Sequence, residues 1–86
     1  MNKQSRATEQ YIRENREAIG KQIRAFREKK GFSQDELAEI MGVNRSTISK
    51  VETGKFAITI DYLVRFAWHL DFELALIKKQ DEIINN

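Results

Sequence analysis

SQDELAEIMGVNRSTISKVETGK, residues Ser33 to Lys55, holds two short helical patterns separated by a glycine turn. Ser33 followed by Glu36 forms a capping box, in which each side chain meets the other residue's backbone N–H. Leu37, Ala38 and Met41 fall on one helical face. Gly42 stops that helix, because glycine takes a left-handed conformation without steric cost. Val43 plugs the space between the helices. Asn44 is a favoured N-cap for a second helix, whose buried stripe is Ile48 and Val51. Gly54 is the next stop.

Helix, glycine turn, helix at this spacing is the helix-turn-helix arrangement of DNA-binding proteins. The chain resembles the Xre family, the phage-repressor and Cro type of bacterial regulator. The resemblance is carried by Gln34, Leu37 and Ala38, Gly42 and Val43, Ser46, Ile48 and Ser49, Glu52, and Gly54 and Lys55. Upstream, Ile19 and Gly20, Ile23 and Arg24, Arg27 and Gly31 match the family's first helix. It spans roughly residues 19–70, most of the chain. What it implies is a mainly α, four- to five-helix domain that binds double-stranded DNA and regulates transcription.

In such a domain the helix after Asn44 enters the major groove and offers its first turn to base edges. The resemblance puts Asn44, Arg45, Ser46, Ser49 and Lys50 at the reading positions. Arg45 can give two parallel hydrogen bonds to guanine, and short Ser46 and Ser49 permit close approach. Asn44 can read adenine unless its amide is consumed as the cap. Thr47 faces away and packs or bonds locally. Gln34 matches a family residue that grips a phosphate, where a helix N-terminus also offers free N–H groups. Thr53, Lys55 and the backbone at Phe56 are further phosphate contacts by the same resemblance. Glu52 would repel DNA if exposed. The family pairs this acid with the arginine matching Arg27, which implies a structural ion pair.

Eighty-six residues make one domain. A net charge of +2 does not itself argue for nucleic acid, so distribution decides. Arg45, Lys50 and Lys55 face one acid, Glu52, within the second half of the motif, and Arg24, Arg27, Lys29 and Lys30 gather at the end of the first helix. There is no cysteine and one histidine, so no disulfide, no metal site and no cofactor is expected. His69 is expected to be a surface residue, and Trp68 a packing or interface residue. No apolar run reaches the ~18 residues of a membrane span, and no signal-peptide core precedes the domain, so a cytoplasmic protein is expected. No nucleophile–base pair or phosphate loop suggests an enzyme.

The boundaries follow from composition. Residues 1–7, with Lys3 and Arg6, read as a flexible arm. The DNA-binding domain covers residues 8–71. Its first helix runs from about Thr8 to Lys30 with Ile12, Ile19, Ile23 and Phe26 on one stripe, and a break near Asn15 and Arg16 is expected. Gly20 costs about 1 kcal/mol against alanine in mid-helix, and close packing on another helix is the compensation. Tyr11 and Ile12 extend beyond the family core. Thr59 caps a fourth helix to about Leu70, with Leu63, Phe66, Ala67 and Leu70 inward, in a chain without proline.

After Asp71 the period changes to two. Residues 72–79 read as a strand with Phe72, Leu74 and Leu76 on the face over the helices, and Ala75 and Ile77 opposite. The alternative is continued helix, since Glu, Leu, Ala and Lys are helix formers. A lone strand leaves its edge unpaired, so its natural partner is the same strand of a second copy. This order resembles HipB-type antitoxins, which implies a homodimeric repressor on a palindromic operator; an antitoxin would have a toxin as a further partner, and a stand-alone regulator is equally compatible with the motif. Residues 80–86 read as a polar tail in which Ile83 and Ile84 could extend a contact. A competing class is a protein-interaction adaptor that uses the same fold without DNA.

Overall fold

The computed structural model describes residues 3–80. Helix α1 runs Lys3–Lys29, α2 Gln34–Met41, α3 Arg45–Glu52 and α4 Ile60–Leu70. Every helix contributes to one core: Ile23 from α1, Leu37, Ala38 and Met41 from α2, Ile48 and Val51 from α3, Phe66 and Leu70 from α4. Burying a side chain such as Phe66 or Leu37 stabilises by roughly 1.5–3 kcal/mol. Ile19, Phe26, Val43 and Leu63 pack around this centre, half-buried.

The predicted stops and starts of the motif are present. The Ser33 hydroxyl accepts from the Glu36 N–H at 3.0 Å, and the Glu36 carboxylate accepts from the Ser33 N–H at 2.7 Å. Gly42 ends α2 in the left-handed region, at φ 70°. The N–H of Val43 then reaches back to the Ala38 carbonyl, and Arg65 of α4 donates to the Met41 carbonyl. The open end of α2 is thereby closed from a different helix. The Thr59 hydroxyl accepts from the Tyr62 N–H at 3.1 Å and starts α4 without a proline.

Gly20 has the close packing its cost requires. A Cβ there would lie 2.6 Å from the Glu52 carbonyl oxygen and would also press on that of Val51. Only glycine lets α1 cross this closely over the end of α3.

Two expectations are corrected. The first concerns α1, which starts at Lys3 rather than near Thr8 and runs unbroken through Asn15 and Arg16. Residues 3–18 contain neither glycine nor proline, and Ala, Glu, Gln and Arg dominate them, so nothing interrupts the helix. Gln10 bonds Glu14 and Asn15 bonds the Tyr11 carbonyl, both one turn apart. Residues 6–18 are exposed, Ile12 included. Tyr11 and Ile12 border a shallow groove shared with Ala57 and Ile58.

The second concerns the segment after α4. Residues 72–80 form neither strand nor helix. Asp71 turns left-handed at φ 60° and stops α4, which removes the helical alternative. Among the described residues no second strand exists to complete a ladder. Phe72 alone of the expected inner face is covered, its ring stacked on Phe26 at 4.9 Å. Leu74 is 44 % exposed and Leu76 fully so. The segment runs back along α1, Ala75 and Ile77 bordering a groove with Ile19 and Gln22, and the Lys79 ammonium lies 5.3 Å from the Tyr11 ring. Ile83 and Ile84 fall outside the described residues.

Candidate nucleic-acid interface

Helix α3 has one face locked inward and one face free. Ile48, Val51 and Glu52 are buried. Asn44, Arg45, Ser46 and Lys50 are exposed, and Ser49 and Thr47 are half-buried. Eight residues make a two-turn rod whose orientation is set by α1 and α2, leaving the outer side chains to meet a ligand.

The lock is polar as well as apolar. Arg27 Nε donates to Glu52 Oε2 at 2.6 Å and its Nη2 to Oε1 at 3.0 Å, a two-pronged pair. Arg27 Nη1 donates to the Phe32 carbonyl at 2.7 Å, and Gln34 Nε2 donates to Glu52 Oε1 at 3.0 Å. Arg27 is 7 % exposed and Glu52 6 %. The Glu52 hydrogen bond holds the Arg27 guanidinium pKa above its ordinary value, against the opposing effect of burial. The pair implied by the family resemblance is therefore present, and it is larger than two residues. It ties α1, the lead-in at Phe32, the start of α2 and the end of α3 together. It also cancels the charge of an acid that would otherwise face phosphate.

Gln34 stands at the start of α2 as expected, but its amide nitrogen already donates to Glu52. Spacing along the chain carries no sign of this, because Gln34 and Glu52 lie eighteen residues apart. Asn44 differs in the opposite direction. It occupies the N-cap position with extended backbone, yet its side chain makes no capping bond. Its carbonyl accepts from the Thr47 N–H at 3.0 Å, and its amide stays available at the head of α3.

Arg45 Nε lies 3.7 Å from Asp35 Oδ1, in a pair exposed on both sides. Lys50 and Lys55 have no ion-pair partner among the described residues. The Thr53 hydroxyl donates to the Ser49 carbonyl at 2.8 Å. The Phe56 N–H has no intramolecular acceptor among the described residues, while the Phe56 ring packs edge-on to Tyr62. By contrast, much of the basic cluster ending α1 is used internally. Arg27 is in the hub, Arg24 pairs with Glu28, and Lys30 pairs with Asp71. Lys50 and Lys55, on α3 and the turn after it, are by comparison left without an ion pair among the described residues.

Among the described residues no three His, Asp or Glu side chains gather as a metal site. None of the described helices is long and apolar enough to cross a membrane.

Residues 23–77 match the family model for the helix-turn-helix domain HTH_3. A protein of Thermococcus kodakarensis, named as HTH-type transcriptional regulatory protein TK0539, is 35% identical over 65 residues, which is 76% of this chain and 19% of that protein. A similarly named protein of Pyrococcus furiosus, PF1851, is 41% identical over 46 residues, 54% of this chain and 15% of its own length. The chain thus spans less than a fifth of these two curated relatives. The crystal structure of the restriction-modification controller protein C.AhdI from Aeromonas hydrophila superposes with a TM-score of 0.64 at 32% identity, covering 69% of this chain and 89% of that one. With the capping box, the glycine turn and the buried Arg27–Glu52 pair in register, the chain belongs to the helix-turn-helix family of the Xre and Cro/C1 type, a family of DNA-binding transcription regulators.

Proposed function

We propose that this chain is a sequence-specific, double-stranded-DNA-binding transcriptional regulator that acts as a homodimeric repressor on a palindromic operator. The observation that carries the reading is the two-sidedness of α3. One face is fixed by the Glu52 hub and the core, and the other offers Asn44, Arg45, Ser46 and Lys50 to solvent.

In this reading α3 lies in the major groove. Arg45 or Lys50 donates to guanine O6 and N7, and the uncapped Asn44 amide is suited to adenine. Ser46 and Ser49 let the helix come close. Lys55 and the Phe56 N–H hold phosphates past the end of α3, and Gln34 adds a phosphate contact at the start of α2 with the N–H groups of that turn. Thr53 joins them by exchanging its bond to the Ser49 carbonyl for one to phosphate.

Two copies place their recognition helices one DNA turn apart, about 34 Å. The exposed Leu74, Leu76 and Ile77 of residues 72–79 supply the apolar surface for antiparallel pairing of two copies, in the manner of HipB-type antitoxins. The likeness to a restriction-modification controller favours a stand-alone regulator over an antitoxin with a toxin partner.

Salt titration tests the reading. A dimer that neutralises about six phosphates gives a slope near −5 in log K against log salt. Binding that ignores salt contradicts it and favours the adaptor.

A further inference from the structure

Asp35 poses a problem that the reading of α3 leaves unsolved. It is an exposed acid in the first turn of α2, beside the phosphate-binding Gln34. An acid there favours its own helix dipole but repels the DNA backbone that the same turn is to meet. Its carboxylate Oδ1 lies 3.7 Å from Nε of Arg45, which opens α3. The heads of the two helices of the motif are therefore joined by one exposed ion pair.

We propose that Asp35 is a positioning residue that sets the specificity of Arg45. This rests on Arg45 being a base reader. The contact uses Nε, the inner edge of the guanidinium, and leaves Nη1 and Nη2 at its outer end for a guanine. A cation at a helix N-terminus is poorly placed with respect to the dipole, and the neighbouring carboxylate offsets that. The same negative charge weakens the attraction of Arg45 for any phosphate. Asp35 thus lowers non-specific affinity and orients the group that discriminates.

The test compares Asp35→Asn and Asp35→Glu with the unaltered chain. Two duplexes of equal length are used, one selected from a random pool by the unaltered chain and one scrambled. Asp35→Asn should raise affinity for the scrambled duplex by about fivefold, as expected for one exposed charge. It should raise affinity for the selected duplex less, so that the specificity ratio falls, chiefly at the guanine read by Arg45. Asp35→Glu should restore part of the ratio. In an Arg45→Ala background, Asp35→Asn should leave the ratio unchanged. A ratio that stays level or rises in the single variant, or still falls without Arg45, overturns the proposal. An unaltered chain that does not discriminate between DNA sequences overturns the reading of α3 itself, and this role with it.

Discussion

Around Glu52, polar groups from α1, α2, α3 and the loop at Phe32 are withdrawn from water and matched to one another. In residues 72–80 the reverse holds: Leu76 and Ile77 are exposed almost completely and Leu74 is nearly half exposed. A buried charge is tolerable only when its hydrogen bonds are complete, so the hub has one arrangement and fixes the angle of α3. An exposed apolar run has no such demand within one chain and is open to an outside partner. The first region defines the geometry of reading, and the second offers a surface for assembly.

The largest effect should come from breaking the hub. Glu52→Gln leaves the Arg27 guanidinium buried without its countercharge and should destabilise the fold by about 3–5 kcal/mol, read by thermal or denaturant unfolding. Unchanged melting would mean that the pair contributes no stability despite its burial.

A smaller effect separates the two helix caps. Ser33→Ala removes a capping bond that is present and should cost about 1 kcal/mol. Asn44→Ala removes none and should cost only a few tenths of that figure, although it occupies the equivalent position on the next helix. Equal losses at the two sites would contradict the uncapped state of Asn44. The cap at α2 also carries a pH signature. The Ser33 backbone N–H, and then its hydroxyl, hold the Glu36 carboxyl below its ordinary value. A depressed carboxyl contributes stability that is complete above the unfolded value and is lost as pH falls through the folded one. The penalty of Glu36→Gln, which removes the charge that the Ser33 N–H stabilises, should therefore shrink on acidification.

The smallest effect on the fold should come from the other region. Deleting residues 73–86 keeps the Phe72–Phe26 stack and should leave the helical domain folded, while sedimentation changes from dimer to monomer and DNA affinity drops sharply. A truncated chain that still sediments as a dimer moves the interface to α4, where Trp68 is 81 % exposed, or to Tyr11 and Ile12 on α1.

The sequence made the motif legible because its signals are local. A capping box, a glycine stop and an apolar stripe each act within a few residues, and all three are where they were expected. The Gly20 contact was also legible, since a costly glycine in mid-helix points to close packing. The family resemblance supplied the Arg27–Glu52 pair. It did not supply Gln34 as a member of the hub, because that bond depends on how α2 meets α3 in space. Nor did it separate Asn44 as a cap residue from Asn44 as a free amide, since both use the same residue at the same position. The strand reading rested on alternation alone, and alternation specifies pairing only when a partner strand is present. The arm over residues 1–7 and the break near Asn15 and Arg16 are the parts of α1 that composition misplaces: the helix begins at Lys3 and continues through both, since helix propensity and contacts one turn apart can act without burial.

The most direct measurement compares Arg45→Ala with Lys55→Ala across every single-base variant of a selected operator. Arg45→Ala should cost about 1–3 kcal/mol on the preferred site and relax the choice at one base pair in each half-site. Lys55→Ala should weaken all sequences alike. If the two substitutions weaken every sequence equally, Arg45 contacts phosphate rather than bases, and the outer face of α3 does not read base sequence through it.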